Sequence, residues 1–118
     1  MADPRFFKSK WFSKAAKEHG ISDKELCQAL AEARKGQADD LGGGVFKKRL
    51  NDNEDRSIIL AKGGHFWIYE YLYAKKDREN IDSSELKDFR TLAKTYAGLT
   101  EKQLNELLDD GDLVEICK

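Results

Sequence analysis

Between residues 42 and 78 the chain carries eight Lys and Arg side chains in a stretch whose pattern predicts short β-strands. Lys47, Lys48 and Arg49 are consecutive in one predicted strand, so Lys47 and Arg49 project from one face and Lys48 from the other. Further cations flank the next two predicted strands: Arg56, Lys75, Lys76 and Arg78. Neighbouring cations repel each other, and a bound phosphate relieves that repulsion. The pattern predicts a phosphate site, with solubilisation of strand ends as the alternative.

A cluster of this composition could cleave RNA without a metal. The reaction needs a base for the 2′-hydroxyl, charge stabilisation of the phosphorane and a proton for the leaving 5′-oxygen. Lys47 could take up the first proton, because neighbouring cations disfavour its charged form. Arg49 and Arg56 suit the phosphorane, since a guanidinium is a planar fork of donors. Lys76 or Arg78 could assist the leaving group or hold an adjacent phosphate.

Aromatic residues accompany the cations in the third predicted strand. Strand alternation predicts Trp67, Tyr69, Tyr71 and Tyr73 on one face. We expect Trp67 and Tyr69 to pack against helices. For Tyr71 and Tyr73, nearer the basic end, packing and stacking on unpaired RNA bases both stay open.

Length and composition predict one domain, residues 1–118, of an ordinary water-soluble kind: 40% of residues are hydrophobic and 36% are charged. No apolar run approaches the length of a membrane span, and the first residues lack the apolar core of a secretory signal, so we expect a cytoplasmic protein. The formal net charge is −1, but it is segregated: +1 in residues 1–41, +3 in 42–78 and −5 in 79–118. This distribution favours a local phosphate site over non-specific coating of nucleic acid.

The cysteines and histidines give no metal or cofactor signal. Cys27 falls in the apolar register of a predicted helix, which favours a buried, reduced thiol, and Cys117 is far away in sequence. His19 and His65 are too few for a zinc site of ordinary spacing, and we expect them at a helix end and beside a turn.

Four segments show helix-start signals, and each begins a run with helical apolar spacing: Ser9, Ser22 with Glu25, Asp82 with Glu85, and Thr100 with Gln103. In the first helix the apolar positions include Trp11, Phe12 and His19. Phe6 and Phe7 predict a short first strand, and residues 113–116 either a last strand or a partner-facing tail. Gly63 and Gly64 predict a two-residue hairpin turn. The fold class is therefore α+β: a small antiparallel sheet with two N-terminal helices and further helices at the C-terminus.

The glycines at 42–44 lack the Lys-Ser or Lys-Thr of a phosphate-binding loop, and we expect them to permit a tight turn into the following strand. Cradling of phosphate by their amides is the alternative.

Three separated segments carry a resemblance to a known family: KSKWFSKAAKEHGIS near the start, LGGGVFKKRL, and YAKKDRENIDSSELK. Together they resemble the RelE/ParE superfamily of toxins from type II toxin-antitoxin systems, and in particular its HigB-like, prophage-type branch. The resemblance spans nearly the whole chain.

The resemblance implies a toxin that cuts messenger RNA on the ribosome and is inhibited by a cognate antitoxin of helix-turn-helix type. The family's basic positions fall on Lys47, Arg49, Arg56 and Lys76, with Lys75 and Arg78 beside the last. Where the best-known RNA-cutting member has a tyrosine, this chain has Asp82, which leaves the general acid open. Two alternatives remain: a ParE-like toxin that poisons DNA gyrase, and an inactive relic that binds its antitoxin only.

Overall fold

The computed structural model describes residues 4–63 and 65–118. Within these ranges the elements are β1 (Arg5–Ser9), α1 (Lys10–Glu18), α2 (Asp23–Arg34), β2 (Asp39–Gly42), β3 (Val45–Leu50), β4 (Asp55–Leu60), β5 (Phe66–Ala74), α3 (Ser83–Ala97), α4 (Glu101–Asp110) and β6 (Leu113–Ile116). The predicted α+β class is confirmed. So is the order of two helices, a sheet and two helices.

The strands form one sheet in the order β2-β3-β4-β5-β1-β6. β1 runs parallel to β5, and the other described pairs are antiparallel, so the sheet is mixed rather than antiparallel throughout. β6 pairs with β1, which places the segment 113–116 in the sheet instead of in a free tail. β2 was not predicted, because its sequence, DDLG, has no apolar alternation.

Glycines form the turn between β2 and β3. Gly42, Gly43 and Gly44 all have positive φ, and a Cβ on Gly43 would lie 2.7 Å from the Arg90 side chain. The prediction of a tight turn is confirmed. The connection from β4 to β5 spans residues 61–65, so the predicted two-residue turn is wrong. Gly64 itself lies outside the described residues.

The predicted helix starts are confirmed at Ser9, Ser22, Asp82 and Thr100, whose side chains each accept a hydrogen bond from the backbone of the first turn. Asp82 and Thr100 form complete capping boxes with Glu85 and Gln103. The box at Ser22 is only half formed. Its Glu25 carboxylate accepts instead from the backbone N–H of Asn51, and so joins α2 to the turn between β3 and β4.

The sheet has two faces, which we name by the helices that cover them. The back face packs against α1 and α2 in a core that includes Phe12, Leu26, Leu30, Ile59 and Tyr69. The front face packs against α3 and α4 in two smaller clusters, one around Ile58 and Tyr73 and one around Phe7, Ile68 and Leu104. No helix in the described ranges combines the length and the apolarity that a membrane span needs.

An irregularity in β5 changes which side chains share a face. Ile59 pairs with Tyr69 but Ile58 pairs with Tyr71, so Glu70 is an extra residue in β5. Trp67 and Tyr69 therefore lie on the back face, while Tyr71 and Tyr73 lie on the front face. The predicted single row of four aromatic residues is wrong, because a bulge resets the alternation of a strand.

The two cysteines form a disulfide bond, so the expected reduced thiol at Cys27 is wrong. β6 pairs with β1 and brings Ile116 into the back-face core beside α2. The Cα atoms of Cys27 and Cys117 are then 5.6 Å apart, within bonding range. A separation of 90 residues hides this proximity from the sequence.

Candidate nucleic-acid interface

Arg49 and Arg56 lie directly opposite each other on β3 and β4. Arg49 is exposed, whereas Arg56 is only 4% exposed. The Arg56 Nη1 donates to the carbonyl oxygens of Asn53 at 2.9 Å and Asp55 at 3.2 Å. Among the residues that the structure describes, neither guanidinium forms an ion pair. Like charges in direct cross-strand register are destabilising, so this pair is suited to an anion.

Lys47 lies one step along β3 on the same front face, opposite Ile58. Its Nζ donates to Asn80 Oδ1 at 2.6 Å and lies 3.7 Å from an Asp39 carboxylate oxygen. Lys48 turns to the back face and forms an ion pair of 3.1 Å with Glu32 on α2. The predicted alternation of the three cations is confirmed.

Tyr73 lies opposite Arg56 in the sheet, so it extends the group of front-face cations onto β5. The Arg78 guanidinium lies 5.5 Å from the centre of its ring. Burial raises the pKa of Tyr73, and the charges of Arg78 and Arg56 act against that rise. Its hydroxyl donates to the Glu79 carbonyl at 3.4 Å. Tyr73 therefore remains a neutral donor in a cationic environment.

Tyr71 lies next to Tyr73, with their ring centres 5.8 Å apart. It stacks on Trp11 of α1 at 5.1 Å and also contacts Phe89 of α3 at 5.9 Å. These neighbours leave little of its ring faces free. Packing therefore covers most of the Tyr71 side chain. Trp11 is the exposed ring of this stack.

Arg78 is neutralised by Glu85. Its Nη1 donates to Glu85 Oε2 at 3.0 Å, and its Nη2 contacts Oε1. The hydrogen bond raises the pKa of Arg78 and lowers the pKa of Glu85. Glu85 also accepts from the backbone N–H of Asp82, so the arginine is tied to the first turn of α3. Asp82 itself caps that helix.

Lys75 and Lys76 are exposed in the turn after β5. Lys76 borders a cavity of about 370 Å³ that is also lined by Glu18, His19 and Asp55. The predicted site thus divides: Lys47, Arg49, Arg56 and the two tyrosines share the front face, while Lys76 borders a different cavity. Within the described ranges, no three His, Cys, Asp or Glu side chains are placed to hold a metal ion.

A buried carboxylate fixes the turn that precedes Arg56. The Asp55 side chain is 4% exposed, accepts from His19 Nδ1 at 2.9 Å and from Asn51 Nδ2 at 2.9 Å. The same Asn51 amide donates to the His19 carbonyl at 3.3 Å. His19 is the C-cap of α1, so its expected place at a helix end is confirmed. Its side chain joins α1 to the β3–β4 turn and does not fill the apolar position that the helical spacing predicts. The network holds the backbone carbonyl groups that position Arg56.

Glu70, the extra residue in β5, is partly buried on the front face, and its carboxylate accepts from the Tyr96 hydroxyl at 3.1 Å. Burial raises the pKa of Glu70 to about 7, and the Tyr96 hydrogen bond acts against that rise. Burial likewise raises the pKa of Tyr96. Glu70 is therefore a group whose protonation changes near neutral pH.

The fold is therefore α+β: a small mixed sheet with helices on both faces, on which Arg49 and Arg56 lie in cross-strand register. The chain matches, over residues 4–116, the family model described as the RelE toxin of the RelE / RelB toxin-antitoxin system. The chain therefore belongs to the RelE toxin family, and an antitoxin is its implied partner. Comparison with curated proteins gives no match.

Proposed function

We propose that this RelE-family protein is an endoribonuclease that cleaves messenger RNA on the ribosome without a metal ion. The observation that carries the proposal is the cross-strand pair of Arg49 and Arg56, which has no carboxylate partner within residues 4–63 and 65–118. Lys48, one residue away on the back face, has such a partner in Glu32. The two arginines on the front face lack a carboxylate partner, whereas the lysine on the back face has one. This difference supports a phosphate site on the front face.

In this proposal Arg49 and Arg56 bind the scissile phosphate and stabilise the phosphorane. Arg56 is held by backbone carbonyl groups, so its donors are oriented before the substrate binds. Lys47 is the candidate base for the 2′-hydroxyl. That role requires the substrate to displace Asn80 and Asp39 from its Nζ.

The leaving group needs a different residue, because Asp82, at the position of the family's tyrosine, caps α3. Lys76 is the exposed candidate that could assist the 5′-oxygen. Arg78 stays charged, and an adjacent phosphate could replace Glu85 as its hydrogen-bond partner. Lys75 would lie beside this phosphate.

The partners in this proposal are the ribosome, its messenger RNA and an antitoxin of helix-turn-helix type, as the HigB-like resemblance implies. The reaction would take place in the cytoplasm.

The test is expression of the chain in bacteria with cleavage of ribosome-bound messenger RNA mapped by primer extension. We expect growth arrest, relief by the adjacent antitoxin gene, and discrete cuts. Arg49→Ala should reduce cutting about 100-fold, as loss of an oxyanion donor does. Lys48→Ala is the matched control and should change cutting far less.

Two outcomes would contradict the proposal. If no cuts appear while DNA supercoiling is blocked, the chain acts as a gyrase poison. If verified soluble protein neither arrests growth nor cuts RNA, yet still binds the antitoxin, it is an inactive relic.

A further inference from the structure

Trp11 is the most exposed large hydrophobic side chain in the described part of the chain, with 53% of its surface accessible. The helical pattern of α1 had placed it among the apolar core positions. Phe12, Ala15 and Ala16 do face the core, but Trp11 lies at the border of that stripe. Its indole stacks on Tyr71 at an interplanar angle of 24°. A ring that is covered on one side and still half exposed offers its other side to a ligand.

The Trp11 ring is continuous with the proposed phosphate site. It contacts Tyr71, Tyr71 contacts Tyr73, and Tyr73 lies opposite Arg56 in the sheet. Arg78 lies over Tyr73. An extended chain of bases and phosphates laid across β3, β4 and β5 would therefore reach Trp11 at the edge of the sheet, where the paired part of β1 ends and α1 begins.

The charge around Trp11 favours a polyanion over an apolar protein segment. Lys10, Lys14 and Lys17 are exposed on α1, and Glu18 is the only acidic residue of that helix. None of the three lysines forms an ion pair with another described residue. Lys14 and Trp11 border a cleft of about 240 Å³ that Ala15 and Glu18 also line. Exposed aromatic rings with interleaved cations are the usual composition of a surface that binds single-stranded nucleic acid.

We propose that Trp11 stacks on an unpaired base of the bound RNA while Lys14 contacts the adjoining phosphate. The identity of the ligand rests on the proposed function. The site itself is separate from the residues that would carry out the reaction. It extends the bound RNA beyond the Arg49–Arg56 pair.

The test uses Trp11 as its own reporter. Trp67, the other tryptophan, is replaced by Phe so that emission comes from Trp11 alone. The probe is a short unpaired oligoribonucleotide, fully 2′-O-methylated so that it cannot be cut. We expect saturable quenching of Trp11 emission on titration. With wild-type Trp67, Trp11→Ala should weaken binding roughly tenfold, and Trp11→Phe should retain most of the affinity.

Val114→Ala is the matched control, because Val114 is the other exposed large hydrophobic side chain in the described ranges. It should leave RNA affinity unchanged. Circular dichroism of each variant checks folding. If Trp11→Ala binds the probe as tightly as wild type, or Trp11 emission responds only to a protein partner, the proposal is overturned.

The two proposals fail in different ways. Saturable Trp11 quenching by the probe in a protein that never cuts messenger RNA would support the stacking site and contradict the nuclease function. Normal cutting and normal probe affinity in Trp11→Ala would contradict the stacking site alone.

Discussion

Lys48 and Arg49 are neighbours in β3, yet their side chains lie in opposite electrostatic surroundings. On the back face Lys48 forms an ion pair with Glu32 and Lys8 forms one with Asp23. His19 is hydrogen-bonded to Asp55 there. On the front face Arg49 and Arg56 face each other with no described carboxylate between them.

The two faces differ in the size of their cores and in how these cations are partnered. The back face has the larger core, the disulfide and neutralised charges, as expected of a surface whose role is folding. On the front face Lys47 lies near the Asp39 carboxylate, but Arg49 and Arg56 keep like charges in register, an arrangement that costs stability. A phosphate bound as proposed would supply the missing charge.

The largest effect on stability is expected at the back-face disulfide. Cys117→Ser should lower the free energy of unfolding by roughly 2–4 kcal/mol, because the bond closes a long loop in the unfolded chain. Urea denaturation measures this. Cys27→Ser and the double variant should lose the same amount, since all three break one bond. A double variant that loses the sum of both single losses would show that the cysteines act independently.

Glu70 should give the front face a pH dependence of its own. Its pKa of about 7 exceeds the ordinary value of 4.5, so the folded state holds the proton more tightly than the unfolded chain does. Stability from this group is fully present below pH 4.5 and is lost as pH rises through 7. The loss should be at most about 3 kcal/mol.

Glu70→Gln keeps an acceptor for Tyr96 and cannot ionise, so it should remove this pH dependence and be more stable than wild type at pH 8. Urea denaturation at several pH values measures both proteins. Parallel stability curves between pH 4.5 and pH 8 would contradict the assignment to Glu70.

Lys48→Ala should have the smallest effect. Its partner Glu32 is partly exposed, and such pairs contribute less than about 1 kcal/mol. Thermal or urea unfolding should show a slight destabilisation, with RNA affinity unchanged. A marked loss of RNA affinity would mean that the back face also contacts RNA.

Local signals in the sequence were enough for the helix starts, the strand order around the cations and the faces of Lys47, Lys48 and Arg49. They failed where a long-range contact or a change of strand register determines which residues lie together. The bulge at Glu70 moved Tyr71 and Tyr73 to the cationic face, and no periodicity reports an inserted residue. Pairing of Cys27 with Cys117 depends on β6 joining β1. The exposure of Trp11 follows from its place at the border of the apolar stripe of α1.

In the proposed function, Arg49 lies on the front face to bind an anion and not to stabilise the fold. The most direct measurement is the free energy of unfolding of wild type and Arg49→Ala, each with and without a non-cleavable 2′-O-methyl RNA. Without RNA, Arg49→Ala should be as stable as wild type or more stable by about a few tenths of a kcal/mol, since a cross-strand repulsion is removed. With RNA, wild type should gain clearly more stability than the variant, because binding to the folded state stabilises it. If Arg49→Ala is less stable without RNA, or if RNA stabilises both proteins equally, Arg49 does not lie on this face to bind an anion.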